Sequence, residues 1–305
     1  MGLPSFVLKG GRRATINEIK MKRYIATAVV VLMGIQISRA QLSPLKCQYF
    51  QNEYLSNPAM AGHRGAEVYL NYSNQWNKID GTPVLSSISG SMPINGKAAV
   101  GINVINDKSG LIRKTQAMGS FSYRVPFAED HALRFGLSLS WSQDRLDYGL
   151  ASASGINDME LAKYNDRENY LDGNVGVTYQ LKGLEAQFSY LSLNEKRYSR
   201  ISTVDYATFY SALSYTFRLD DMWGVKPMFV YRGLKNFDNQ WDVAAEWTAE
   251  MLRFYTMYHS NHSFTGGVGY VDKSGLSVSA LYSSEAKTVR GFSGGIFDVV
   301  VGYRF

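Results

Sequence analysis

The residues equipped for catalysis or metal binding are few. The chain carries four histidines, His63, His131, His259 and His262, and one cysteine, Cys47. A hydrolase needs a nucleophile within reach of a base, and the base needs a group that orients it. The run His259-Ser260-Asn261-His262-Ser263 concentrates hydroxyls and imidazoles. It sits at a turn, however, where Ser, Asn and His are ordinary residues. No carboxylate lies close in sequence, and the two imidazoles fall on opposite sides of a hairpin tip in a spacing that matches no strong metal-ligand motif. Gly266-Gly267-Val268-Gly269 lies within a strand pattern, where glycines mark close packing or a bend rather than a phosphate cradle. A lone cysteine forms no internal disulfide. The expectation is a protein without catalytic, metal or cofactor site.

The charged residues are more informative once the elements that carry them are known. The 305 residues are 45% hydrophobic and 13% aromatic, with 21 Tyr, 15 Phe and 28 Gly against 7 Pro. That balance favours pleated surfaces over helices. After the N-terminal region no stretch approaches the roughly 18 uninterrupted apolar residues that a membrane-spanning helix requires. The formal charge of +6 is scattered rather than gathered into a basic stripe, so no nucleic-acid partner is expected.

From Ala66 onward the sequence alternates with period two. Leu133, Phe135, Leu137, Leu139 and Trp141 are apolar, and Arg134, Gly136, Ser138, Ser140 and Ser142 between them are small or polar. Segments 171–181 and 241–251 repeat the pattern. Candidate strands fall at 66–77, 84–92, 97–106, 113–125, 132–143, 170–181, 184–193, 206–218, 224–233, 240–251, 252–260, 263–271, 276–284 and 295–305. Their lengths suit an oblique crossing of a bilayer. Every second connection is tight (93–96, 126–131, 182–183, 219–223, 251–252, 272–275), and the alternate ones include long loops over 145–169 and 194–205. This sorting, with aromatics near strand ends (Trp76, Trp141, Trp223, Trp241, Tyr123, Tyr179, Tyr282, Tyr303), separates a membrane barrel from a sandwich. The expected fold is all-β: a transmembrane antiparallel up-and-down β-barrel of about fourteen strands occupying 66–305. Phe305, an aromatic at the end of an alternating strand, is read as the assembly signal.

In such a barrel Lys226, Arg232, Asp242, Glu246, Glu250, Arg253 and His259 point inward from three consecutive strands and form a lumenal charge ladder. The tight turn at 251–252 is expected to set Glu250 opposite Arg253, and the loop 234–239 to bring Arg232 near Asp242. The ladder either neutralises itself and holds the wall or serves ion passage or plug docking.

Ahead of the barrel, Met21-Lys22-Arg23, an apolar core over 25–37 and Ser38-Arg39-Ala40 have the parts of a secretory signal peptide over 21–40. Residues 1–20 do not belong to such a signal and are taken as an extension upstream of the true start. Segment 41–65 is not a strand: Asn57-Pro58 and Ala61-Gly62 are turn signals, and Tyr49, Phe50 and Tyr54 could enter the lumen as a small plug.

This segment resembles the opening of the PorP/SprF family, outer-membrane proteins of the Bacteroidetes type IX secretion and gliding machinery. Asn57, Pro58, Ala59, Met60, Ala61 and Gly62 match the family's Asn-Pro-Ala-(aromatic or Met)-Ala-Gly motif, Met60 standing where many relatives carry Tyr. Trp76, Gly81, Thr82, Pro83 and Ser91 resemble the family's Trp followed by a Gly-x-Pro turn and a strand. The resemblance implies a non-enzymatic barrel in outer-membrane lipid, associated with a periplasmic peptidoglycan-binding lipoprotein and other secretion components. It also implies help in exporting a secreted adhesin or holding it at the surface. The alternative is an outer-membrane transport pore for small solutes.

Overall fold

The structure, a computed structural model, describes residues 48–75, 82–146, 169–193, 207–220, 222–234, 239–285 and 294–305. The signal segment, the upstream extension, Cys47, Trp76, Gly81 and almost all of the two long loops expected at 145–169 and 194–205 lie outside them.

The alternating segments become β1 (Glu67–Gln75), β2 (Val84–Pro93), β3 (Ala98–Ser109), β4 (Ile112–Ala128), β5 (His131–Leu146), β6 (Tyr170–Leu181), β7 (Leu184–Tyr190), β8 (Ala207–Tyr215), β9 (Phe217–Arg218), β10 (Trp223–Leu234), β11 (Gln240–Ala249), β12 (Leu252–His259), β13 (Phe264–Val271), β14 (Leu276–Ser283) and β15 (Ile296–Arg304). Each pairs antiparallel with its neighbours, and β1 pairs with β15 from Glu67↔Arg304 to Gln75↔Ile296. The sheet therefore has no free edge, as hydrocarbon requires of a β-structure. No helix among the described residues is long and apolar enough to cross a membrane. The fold is a closed antiparallel barrel of fourteen wall strands. The fifteenth, β9, is the last piece of the strand expected at 206–218: beyond Thr216, which donates to the carbonyl of Gly183, the chain leaves β7 and pairs with Gly224 and Val225 of β10.

Burial is inverted relative to a water-soluble protein. On β1, Glu67, Tyr69, Asn71, Ser73 and Gln75 are buried while Val68, Leu70 and Tyr72 are exposed. The alternation on the other strands likewise turns apolar side chains to the outer face, the pattern that lipid imposes on a barrel wall. Exposed aromatics gather toward both ends. Tyr123, Tyr215, Trp223, Tyr270 and Tyr303 lie near the short turns, and Trp141, Tyr190, Tyr258 and Tyr282 toward the opposite rim. The short turns at 129–130, 182–183 and 250–251 share one end. The longest connections open at the other, although β3 and β4 also join there through the tight 110–111 turn. The C-terminal Phe305 is 80% exposed; its N–H donates to the Ala66 carbonyl, and its ring packs edge-on against Tyr303 at 4.9 Å.

Before β1 the chain lies inside the barrel. From Gln48 to Ala61 nearly every residue is buried. The segment forms two short 3₁₀ turns, Glu53–Leu55 and Pro58–Met60. It touches β4, β5 and β6 on one side and β10, β11 and β12 on the other. It also meets β2 and β3 through Asn52 and Tyr54, and β7 and β8 through Glu53, Ser56 and Tyr49, so its contacts run round most of the ring and the segment fills the lumen.

Candidate functional site

The motif Asn57 to Gly62 fits a recess that the wall strands prepare for it. Gly136 of β5 and Gly176 of β6 are register partners. A Cβ on the first would strike the Pro58–Ala59 backbone, and one on the second would strike the Asn57 carboxamide. The paired glycines thus form a dent sized for the second 3₁₀ turn. Asn57 caps that turn. Its Oδ1 accepts from the Ala59 N–H at 3.0 Å, and its Nδ2 donates to Thr178 Oγ1 at 3.1 Å and the Val177 carbonyl at 3.2 Å. Pro58 fills the first position of the turn, where no N–H is needed. Ala59, Met60 and Ala61 are fully buried, and Ser122 of β4 donates to the Ala61 carbonyl. Gly62 adopts φ 66, and a Cβ there would strike Ala99 and crowd the Met92–Pro93 backbone, a conformation and a space that favour glycine.

Two charge networks tie the rest of the segment to β7, β10, β11 and β12. The lower one is centred on Glu53, which is 3% exposed. Its carboxylate receives Arg64 Nη2 at 2.5 Å, Lys226 Nζ at 3.0 Å and Gln187 Nε2 at 2.8 Å. Arg64 also donates to the Phe50 carbonyl, closing a loop within the segment. The upper one is centred on Asp242, which accepts from the Tyr49 hydroxyl at 2.6 Å and Arg232 at 2.5 Å, and pairs with His259 Nδ1 at 2.7 Å. The Arg232 guanidinium also lies 5.6 Å from the centre of the Tyr49 ring. Between the networks Tyr49 and Phe50 join an apolar cluster with Tyr210, Met228, Val230, Tyr255 and Met257.

The sequence-predicted ladder is thus divided. Arg232 meets Asp242 as expected from the loop between them. Lys226 is the register partner of Glu246, yet its ammonium goes to Glu53. Glu250 and Arg253 leave the ladder: Glu250 stands exposed in the β11–β12 turn at φ 54, and Arg253 donates to the backbone carbonyls of Glu250 and Leu252. The two-residue turn pairs Thr248 with Arg253 and leaves Glu250 at the tip. Among the described residues Glu246, Glu250 and Arg253 make no ion pair. Sequence reasoning missed Glu53 and Arg64, and placed Tyr49 in the plug without its bond to Asp242. Their signal was a lone acid among aromatics, answered by an arginine just before β1. The apolar residues Met228, Val230 and Met257 in inward slots of β10 and β12 marked the surface that receives the aromatics.

The orienting carboxylate that His259 lacks in sequence is supplied across the sheet, since Asp242 and His259 are register partners. His259 Nε2 then meets Thr265 Oγ1 at 2.7 Å, and Thr265 meets Ser283 at 2.7 Å. The order carboxylate, imidazole, hydroxyl is that of a nucleophilic triad. Here all three side chains are 1% exposed or less and Tyr49 covers the carboxylate, so the chain of bonds locks the wall and leaves a substrate no access. Among the described residues no group of His, Cys, Asp and Glu could hold a metal ion.

Burial alone would raise the carboxyl of Glu53, but Lys226 and Arg64 outweigh it and hold the group well below the usual 4.5. Burial, aided by the Arg64 charge, lowers His63 from 6.5 to about 3. A depressed carboxylate contributes stability above its unfolded value that is lost as pH falls toward its folded one; a depressed imidazole lets protonation of the open form pull the segment out below 6.5. Hydrogen-exchange protection over 49–65, corrected for intrinsic rates, should hold above pH 7 and fall progressively from 6.5 toward 3. His63→Gln should confine the loss to the carboxylate range. Glu53→Gln should weaken seating by about 3 kcal/mol, because two cations lose a buried partner; adding Lys226→Met should recover part of this, read by the same exchange. Gly136→Val with Gly176→Val should expose the Arg64–Gly65 bond to trypsin while the barrel keeps its heat-modifiable band shift in electrophoresis.

Among solved structures, the CymD monoaromatic hydrocarbon channel is similar to this barrel, with a TM-score of 0.51 at 12% identity over 89% of this chain and 95% of the channel. The Pseudomonas putida toluene transporter TodX gives 0.49 at 10% identity over 83% and 93%. The Acinetobacter baumannii outer membrane protein Omp33 gives 0.47 at 10% identity over 79% and 96%. No curated protein sequence matches the chain. A family model described as type IX secretion system membrane protein PorP/SprF matches residues 38–303. The barrel resides in the outer membrane, and the chain belongs to the PorP/SprF family of type IX secretion system membrane proteins.

Proposed function

We propose that the chain is a non-enzymatic anchor in the secretion and gliding machinery: a barrel closed by its own N-terminal segment, binding a periplasmic peptidoglycan-binding lipoprotein at the short-turn end. At the other end it helps export or anchor a secreted surface protein such as an adhesin. In this proposal 21–40 is the cleaved signal of a chain that starts at Met21, 41–65 is the plug, and 66–305 is the wall. The observation that carries it is the seating of 48–65 across the lumen, with Glu53 and Asp242 each tying segment to wall. A conduit for small solutes needs that space free. Fixed charges that bind the segment from several strands favour a permanent occupant, since removing one partner leaves the others buried without a counter-charge. Partners are then engaged at the two ends.

Gentle detergent extraction from the native membrane, affinity capture and mass spectrometry should recover a lipoprotein and further secretion components. The pure protein should be silent in planar bilayers. Steady conductance steps together with capture of no secretion component would replace this proposal with the pore.

A further inference from the structure

At the short-turn end the lumen opens into a polar cavity of about 420 Å³ beside the seated segment. Two of its lining residues, Arg124 of β4 and Arg134 of β5, are direct register partners on the inner face. Like charges directly opposite on neighbouring strands are destabilising; Glu129 and Asp130 also line the cavity, but among the described residues neither pairs with these arginines. Among the described residues neither guanidinium makes an ion pair or a hydrogen bond, and Arg134 Nε is buried without a partner. The cavity's best-placed carboxylate, Glu185, is already engaged. It accepts from Gln180 at 2.9 Å and Gln187 at 2.8 Å and lies 3.6 Å from Lys226. Lys182 adds a further positive charge at the rim. The wall thus holds two guanidinium forks without a protein partner among the described residues, one of them with a buried unmet Nε, facing a space that admits a side chain or a short peptide stretch but no folded domain.

We infer that Arg124 and Arg134 form a carboxylate-binding site at the periplasmic mouth, which takes an acidic peptide segment of a partner protein. Guanidinium is suited to this because its planar fork matches a carboxylate bidentately, and a bound anion would convert the repulsion between the arginines into attraction for both. The orientation of this end and the existence of a partner rest on the function proposed above; the anion site itself rests on the paired arginines.

The test is calorimetric titration and thermal unfolding of the full-length protein in detergent. The probes are the blocked peptide acetyl-Gly-Asp-Glu-Gly-amide, its Asn/Gln counterpart and inorganic phosphate. The acidic peptide should bind saturably and raise the unfolding midpoint, while its amide counterpart should do neither. Arg124→Gln and Arg134→Gln should each weaken binding about tenfold or more, and Arg134→Lys should weaken it as well, because a point charge cannot replace the fork. Without peptide, Arg134→Gln should unfold at or above the wild-type midpoint, which separates lost binding from lost folding. No saturable binding, or binding that survives both Gln variants, overturns the site. Binding of phosphate in place of the peptide overturns the peptide assignment. If the peptide binds while native-membrane capture yields no secretion component, the site stands and the partner proposal fails; the converse result removes the site and leaves that proposal standing.

Discussion

Closure of the sheet is the constraint on which everything else depends. Backbone amides cannot be left open in hydrocarbon, so β1 must find β15, and its nine-residue ladder seals the wall. Once the wall is sealed, the alternation that presents Val68, Leu70 and Tyr72 to lipid obliges Glu67, Asn71, Ser73 and Gln75 to face one another across an enclosed space. A water-soluble protein uses its apolar residues to fill its interior. Here they are committed to the outside, and the interior must be satisfied by hydrogen bonds, ions or an inserted segment. The residues before β1 meet that need. They bring aromatic bulk at Tyr49, Phe50 and Tyr54, and a carboxylate, Glu53, that gives Lys226 a counter-charge.

The wall was largely legible in the sequence because its signal is local. Period-two alternation, tight turns at every second connection and aromatics near strand ends are each written within a dozen residues. The strands fall close to the expected spans, and the main difference is the break at Thr216. The lumen was less legible because its bonds join residues far apart in the chain. Arg232 and Asp242 were paired from their shared hairpin, whereas Lys226 with Glu53, separated by 173 positions, had no local mark. Glu250 failed for a geometric reason. A two-residue turn requires a left-handed backbone at its first position, so the acid that continues the alternation on paper hangs at the tip.

The motif that carries the family resemblance has a physical content that the resemblance does not supply. Asn57 is the turn's cap and its tether to β6, Pro58 opens the turn, and Ala59 to Ala61 are small enough, or flexible enough in the case of Met60, to lie against glycine-lined strands. Gly136 and Gly176 are the other half of the motif. They lie in the middle of strands, where glycine weakens a sheet, and they mark the place where two backbones come close.

The placement of Glu53 also bears on biogenesis. Its wall partners belong to β7 and β10, and Asn57 holds β6, all made long after the segment has been synthesised. The carboxylate of Glu53 therefore meets only Arg64 until β7 is made and completes its set at β10, and the segment is enclosed only when the last strand meets the first. The barrel is built around its occupant, as a cooper closes staves around a form, and once hooped by β15 it cannot release that occupant without stripping several buried charges of their partners in succession.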